Sequence, residues 1–164
     1  MLRYMKILLI LGVAVWATVG ALHNFLHWEG TLSSVRSATS MSTFAGGSES
    51  WQATGSLALA WLGALFIVSG KLFSAGYCYA GVAAMYRARH ADRERFQHAK
   101  QWAVTGCAIA LFMLFFGFIV VAETWYEMWR SELLRVIALQ SAFRYGGMIA
   151  LVALFVAQPE PEAP

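Results

Sequence analysis

At 164 residues, 59% hydrophobic and 13% charged, with a mean hydropathy of +0.57, the chain is too apolar for a soluble globular domain and belongs in a bilayer. A net charge of +3 and a pI near 9.1 do not point to nucleic acid, because the excess base gathers in a short segment between two apolar runs, where it marks the cytoplasmic side. Both cysteines, Cys78 and Cys107, fall inside apolar runs, which predicts free thiols rather than an exported disulfide framework.

A basic start, Met1-Leu-Arg-Tyr-Met-Lys6, precedes an apolar run that ends near Leu26. A signal peptide begins in the same way, and Ala-Thr-Val-Gly-Ala at 17–21 keeps that alternative open. The run is long for such a leader and its end lacks a small-x-small cleavage site, so a retained first span at about 7–26 is the reading. From His27 to Gly55 the composition turns to Ser, Thr and Gly, which predicts an outer loop with a short interfacial helix around Leu32–Met41. Trp28 and Trp51 flank that loop and, with Trp125 and Trp129 further on, are the expected anchors at headgroup level.

The second span, about 56–86, carries Gly55, Gly63, Gly70, Gly76 and Gly81, spacing that predicts one face packed closely on another helix. The segment 87–100 holds five basic residues against two acidic, which places it in the cytoplasm. A third span follows at about 101–122, and a fourth at about 142–157 that is short unless the preceding residues extend it through a helical turn at Leu133–Leu139. The fold class is therefore all-α, a bundle of four transmembrane helices forming one domain over 1–157, with both termini cytoplasmic. The acidic, Pro-rich tail at 158–164 is expected to be disordered.

Lys71 stands near the middle of the second span, where an ammonium costs at least ~2.5–3.5 kcal/mol on insertion scales. One reading is a lysine that snorkels along its stem to the interface. The other is a cation for an anionic ligand, a quinone oxygen or a carboxylate on a partner's membrane helix. Every Asp and Glu lies outside the predicted spans or at their ends, which tilts the choice towards the second. His23 and His27, four apart on one helical face, are candidates for half of a metal or haem site, against the blander reading of hydrated interface histidines. A closed site would need ligands from Glu29, Glu49, Glu123, Glu127 or Glu132, and His90 and His98 lie on the other side. Glu123, Glu127 and Arg130 have helical spacing and, with Arg144, are expected to tie the outer ends of spans three and four together; a substrate or ion entry site is the sharper alternative. Arg144 at a helix N-terminus opposes the dipole and so calls for a carboxylate or lipid phosphate. No phosphate loop, zinc spacing, nucleophile elbow or paired membrane carboxylate is present, so no enzyme is expected.

The basic start, Asn24, Val35-Arg36, Ser40-Met-Ser-Thr43 and Trp51, then Trp125-Tyr-Glu-Met-Trp129, Ser131 and Ala142-Phe-Arg144, together resemble the bacterial family of predicted small integral membrane proteins called domain of unknown function 2165. The resemblance runs over nearly the whole chain and implies four membrane helices, with no activity attached. The chain departs from that pattern at Ser42, where the family favours Asp, at Ser37, where it favours His, and at Lys71, near which it often has a carboxylate. Glu123 lies one residue from the usual acidic position, and a Trp-Asn-Gly between Ser131 and Ala142 is missing.

The expected role is non-catalytic: an accessory or structural subunit of the bacterial inner membrane, contacting lipid and packing against a larger complex or a second copy. The alternatives are a small transporter or channel that uses Lys71 with the Glu123/Glu127/Arg144 cluster, and a quinone- or pigment-contacting subunit of an electron-transfer assembly. No resident cofactor is expected. A transporter should show a polar cavity reaching Lys71 between its helices, whereas an accessory subunit should turn Lys71 or the glycine face outward to a neighbour.

Overall fold

Three polar residues set where the long helices begin. Ser56 Oγ accepts from the Leu59 amide at 3.4 Å, Asp92 Oδ1 from Arg95 at 2.7 Å, and Ser131 Oγ from Leu134 at 3.2 Å. Each thereby satisfies an N–H that the first turn leaves without a partner. The computed structural model describes residues 1–160, and these are helical with irregular connections. α1 is Leu2–Leu26, α2 Trp28–Thr39, α3 Leu57–Arg87, α4 Arg93–Trp125 and α5 Glu132–Ala157. All except α2 are long and apolar enough to cross a membrane.

The spans are longer than composition suggests. α4 begins at Arg93, because Asp92 caps it and Glu94 in its first turn complements the dipole, so the basic segment is largely helix. α5 begins ten residues before the predicted fourth span, because the Ser131 cap and Glu132 start it there, and this resolves that span's apparent shortness. The interfacial helix is present as α2, starting earlier than read. The chain turns into it at His27, whose amide donates to the His23 carbonyl at 3.0 Å.

Arg3 of α1 donates to the carbonyls of Arg89 and Ala91 in the α3–α4 connection, and Gln97 of α4 donates to the last carbonyl of α5. These bonds put the start of α1, the end of α5 and the α3–α4 turn at one end of an up-down-up-down bundle. α2 and the α4–α5 connection occupy the other, the loop end. Cys78 and Cys107 are buried free thiols between α3 and α4.

Small residues bring α3 against its neighbours. A Cβ on Gly81 would stand 2.5 Å from the Ala103 nitrogen, and one on Gly70 2.6 Å from Met113 Cγ, so these glycines are used inside the bundle. Outside it, Leu65, Leu72, Phe73, Phe115 and Leu151 are exposed along the spans, the surface that lipid chains cover.

The tail departs from expectation in its first three residues. Gln158 O accepts from both Lys6 and Lys100, and Glu160 is 95% buried, its carboxylate bonded to the same two ammonium groups. Opposite charge overrides the Pro-rich composition here; the rest of the tail expected to be disordered, 161–164, lies outside the described residues. Burial opposes the Glu160 charge, but the hydrogen bonds from Lys100 and Lys6 outweigh it and hold its carboxyl below the ordinary value. A carboxyl depressed in the folded state contributes stability that is full above its unfolded pKa and lost as pH falls through the folded one. The melting temperature is accordingly expected to fall on acidification below about pH 4, and a Glu160→Gln chain should lose that dependence; melts across pH 3–7 check both.

Candidate ligand cavity

The loop-end half of the bundle is not filled. A cavity of about 650 Å³ lies between α1, α2, α3, the last turns of α4 and the first turns of α5. That volume falls in the ~300–1,000 Å³ range of small-molecule sites. Its walls are largely apolar, including Leu62, Phe66, Phe116 and Ile137, with Lys71, Asn24, Thr31 and Ser34 among the polar groups.

Lys71 is the fifteenth residue of the 31-residue α3, so its Cα lies ~21 Å along the helix from the loop end, deep in a bilayer. Helical side chains lean towards their own N-terminus, which here is the loop end, so the stem rises between α1 and α3. Nζ then donates to Asn24 Oδ1 at 2.8 Å and to the Gly20 carbonyl at 3.3 Å. A Cβ on Gly20 would meet Nζ at 3.2 Å, which is why the stem can lie flat on α1. Two of the three ammonium donors are thus engaged, and among the described residues no carboxylate pairs with Lys71. The lysine is turned inward, towards the cavity.

Both π-helical stretches among the described residues border this cavity. α4 widens to i→i+5 bonding over Met113–Trp125, with the Tyr126 amide on the Val121 carbonyl at 3.0 Å, and contributes Phe116, Gly117 and Val121. α5 does the same over Arg135–Leu139 and contributes Ile137 and Ala138. Such i→i+5 segments are rare and are frequent at functional sites. α2 roofs the space, held close because Val35 Cγ1 occupies the place a side chain on Gly63 would take, 2.7 Å from that missing Cβ.

The two histidines sit at the rim. Their rings stack at 4.5 Å, and His27 Nδ1 lies 3.1 Å from the His23 carbonyl. Among the described residues no three His, Cys, Asp or Glu side chains gather as a metal site would require.

The outer charge cluster comes together only in part. Arg130 donates to Glu127 Oε2 at 2.8 Å and to the Ala45 carbonyl at 3.2 Å, and its guanidinium covers the Phe44 ring at 4.6 Å, so it ties the α4–α5 connection to the loop after α2. The expected join to Arg144 is not made. The helix stops at Trp125 and Glu127 takes a left-handed φ of 49°, which breaks the helical register with Glu123, while Arg144 lies about three turns inside α5, not at its N-terminus, against Ser141 and Tyr145. Arg130→Ala is therefore expected to cost about 1 kcal/mol and Arg144→Ala less than about 0.5 kcal/mol, as read from thermal melts of each variant.

Of the tryptophans, Trp51 and Trp125 meet edge-on at 5.4 Å and are exposed at the loop end, as is Trp129. Trp28 differs from the anchor expectation: its ring packs on Trp61 at 5.1 Å, and its Nε1 is enclosed without a hydrogen-bond partner among the described residues. Asn24 and the widened α4 are the site features that reading the sequence for chemistry missed. Asn24 was visible only as part of the family pattern, and nothing in a run such as Met113-Leu-Phe-Phe-Gly117 signals i→i+5 bonding.

Neither a search of curated proteins nor one of solved structures returned a match. A family model, the predicted small integral membrane protein family DUF2165, matches residues 2–159. With four apolar spanning helices and that match over nearly its whole length, the chain belongs to the DUF2165 family of small integral membrane proteins.

Proposed function

We propose that the protein is a non-catalytic membrane subunit that holds one amphipathic molecule, a quinone or a lipid, in the cavity beneath α2. The observation that carries this reading is the inward turn of Lys71, an ammonium with an unused donor at the floor of a largely apolar space. An apolar body would replace lipid contacts along Phe66, Phe116 and Ile137, and an oxygen acceptor on the head group would take the remaining N–H. Apolar walls favour such a ligand over a hydrated ion, which sets the transporter reading below it.

A structural subunit seated against a larger complex is the second reading. Its small-residue docking face is largely consumed, since Gly63, Gly70 and Gly81 pack internally. One observation favours it: a shallow groove of about 190 Å³ between α1 and α5, bordered by Gly12, Trp16 and Ile149, at the level where a neighbouring membrane helix would lie. The charge pattern supports an inner-membrane location with both termini in the cytoplasm, because Arg87, Arg89, Arg93 and Arg95 share the end that carries the termini. Reporter fusions to each end and to the α2–α3 loop would check it.

The deciding experiment is mild-detergent extraction, followed by size and mass analysis of the particle, solvent extraction of its small molecules and an absorbance spectrum. One equivalent of a single quinone or lipid species is the expected result. Stoichiometric co-migration with a larger complex, without an enriched small molecule, would replace the first reading by the second.

A further inference from the structure

At the end opposite the cavity, three cations converge on one carboxylate. Glu160 Oε1 accepts from Lys6 Nζ and Lys100 Nζ, both at 2.7 Å, and Arg3 Nε stands 3.5 Å from Oε2. Lys6 is 1% exposed and Lys100 2%, exposures almost never seen for lysine without compensating charge. Both also donate to the Gln158 carbonyl, at 3.0 and 2.8 Å, and Lys100 donates to Gln97 Oε1 at 2.9 Å. Beneath them Phe96, fully buried, carries the Arg3 guanidinium on its ring at 4.5 Å.

The cations belong to α1 and α4, the rigid parts of the bundle. Their carboxylate comes from the third residue after α5 ends, a position that leaves without unpacking any helix. Three positive charges face one negative, and the C-terminal dipole of α5, ~0.5 charge, offsets only part of the excess. A phosphate-class oxyanion brings up to ~2 charges and more acceptor oxygens to the same donors.

We propose that Arg3, Lys6 and Lys100 form an oxyanion-binding site in which Glu160 is a built-in occupant, and that a phosphate group competes with the tail for it. The phosphate can come from an anionic lipid headgroup, at whose level this end of the bundle lies, or from free phosphate. Occupation by either releases the C-terminal tail. The site is separate from the Lys71 cavity and does not depend on its ligand.

The test compares the full wild-type chain with Glu160→Gln in phosphatidylcholine nanodiscs, with and without phosphatidylglycerol, while inorganic phosphate is titrated against chloride at matched ionic strength. Melting is followed by tryptophan fluorescence. Glu160→Gln should melt lower than wild type and be restored, saturably, by one of the two probes. Wild type should require at least about tenfold more of the same probe, because its tail competes intramolecularly. Restoration by phosphatidylglycerol alone identifies a lipid headgroup, and restoration by inorganic phosphate identifies a soluble ligand. Adding Lys6→Met and Lys100→Met should abolish either response. A Glu160→Gln chain that responds to neither probe overturns the proposal. Should that variant not fold, the side-chain carboxyl ¹³C resonance of Glu160, whose oxygens bond Lys6 and Lys100 in the closed state, decides the question in wild type. Movement of that resonance to its solvated position with either probe supports tail release, and a resonance unchanged by both overturns it.

Discussion

Replacing Gly81 by valine is expected to lower the melting temperature by on the order of 10 °C, whereas the same change at Gly76, five residues earlier on the same helix, should shift it little. The difference lies in what each new side chain meets. At Gly81 the nearest atoms are the Ala103 nitrogen at 2.5 Å and its Cα at 2.6 Å, which are backbone and cannot rotate away. Relief requires α4 to move outward as a body. The approach is reciprocal, since a Cβ on Gly106 would lie 2.8 Å from the Cys78 nitrogen. Cys78 and Gly81 on α3 and Ala103 and Gly106 on α4 thus form one seam, two positions per helix at i, i+3 spacing. Separating it also exposes Ser74, Cys78 and Cys107, all fully buried, to lipid. Overpacking commonly costs ~1–3 kcal/mol, and a rigid backbone obstacle places Gly81 at the upper end. Gly76 has nothing within 4 Å of its missing Cβ and points to lipid. Melts of both variants in one detergent provide the check, and equal losses would mean that the α3–α4 seam is not the tight contact of the bundle.

Those two glycines show what was legible. The run of glycines in α3 announces close packing, but a helix offers every azimuth, and composition does not say which glycine meets a helix and which meets lipid. Four spans were legible because hydrocarbon thickness fixes their length. Their ends were less so, because Asp92 and Ser131 cap helices through hydrogen bonds that outweigh the polar composition of the first turns. The Lys71 anomaly was legible from charge alone. Its solution was not, because Asn24 is a neutral amide at the end of another span and a search for counter-ions passes over it. The Glu160 site was hidden for the opposite reason: Lys6, Lys100 and the acidic tail each had an adequate separate explanation, as topology signals and solvated tail, and only the fold brings them within 2.7 Å.

Lys71→Met should move stability and ligand retention in opposite directions. The Lys71 stem carries the ammonium from a deep Cα towards the loop end, and the remaining desolvation is a cost to the folded protein that the bonds to Asn24 and the Gly20 carbonyl offset only in part. Methionine keeps most of the stem's volume and removes the charge, leaving Asn24 Oδ1 close to the loop end of α1, where water can take the place of Nζ. The melting temperature should therefore hold or rise by a few degrees. Retention of the cavity ligand should fall, because a hydrogen bond from a charged donor contributes ~1.5–3 kcal/mol, equivalent to a loss of about 10- to 150-fold in affinity. Asn24→Leu is the complementary variant: it keeps the charge but takes away its shorter hydrogen bond, and should destabilise by ~1–3 kcal/mol. Melting curves measured beside quantified solvent extracts of the three proteins separate a binding role from a strut. Unchanged ligand content in Lys71→Met, together with a lower melting temperature, would make Lys71 a strut between α1 and α3 and would remove the cavity from the protein's function.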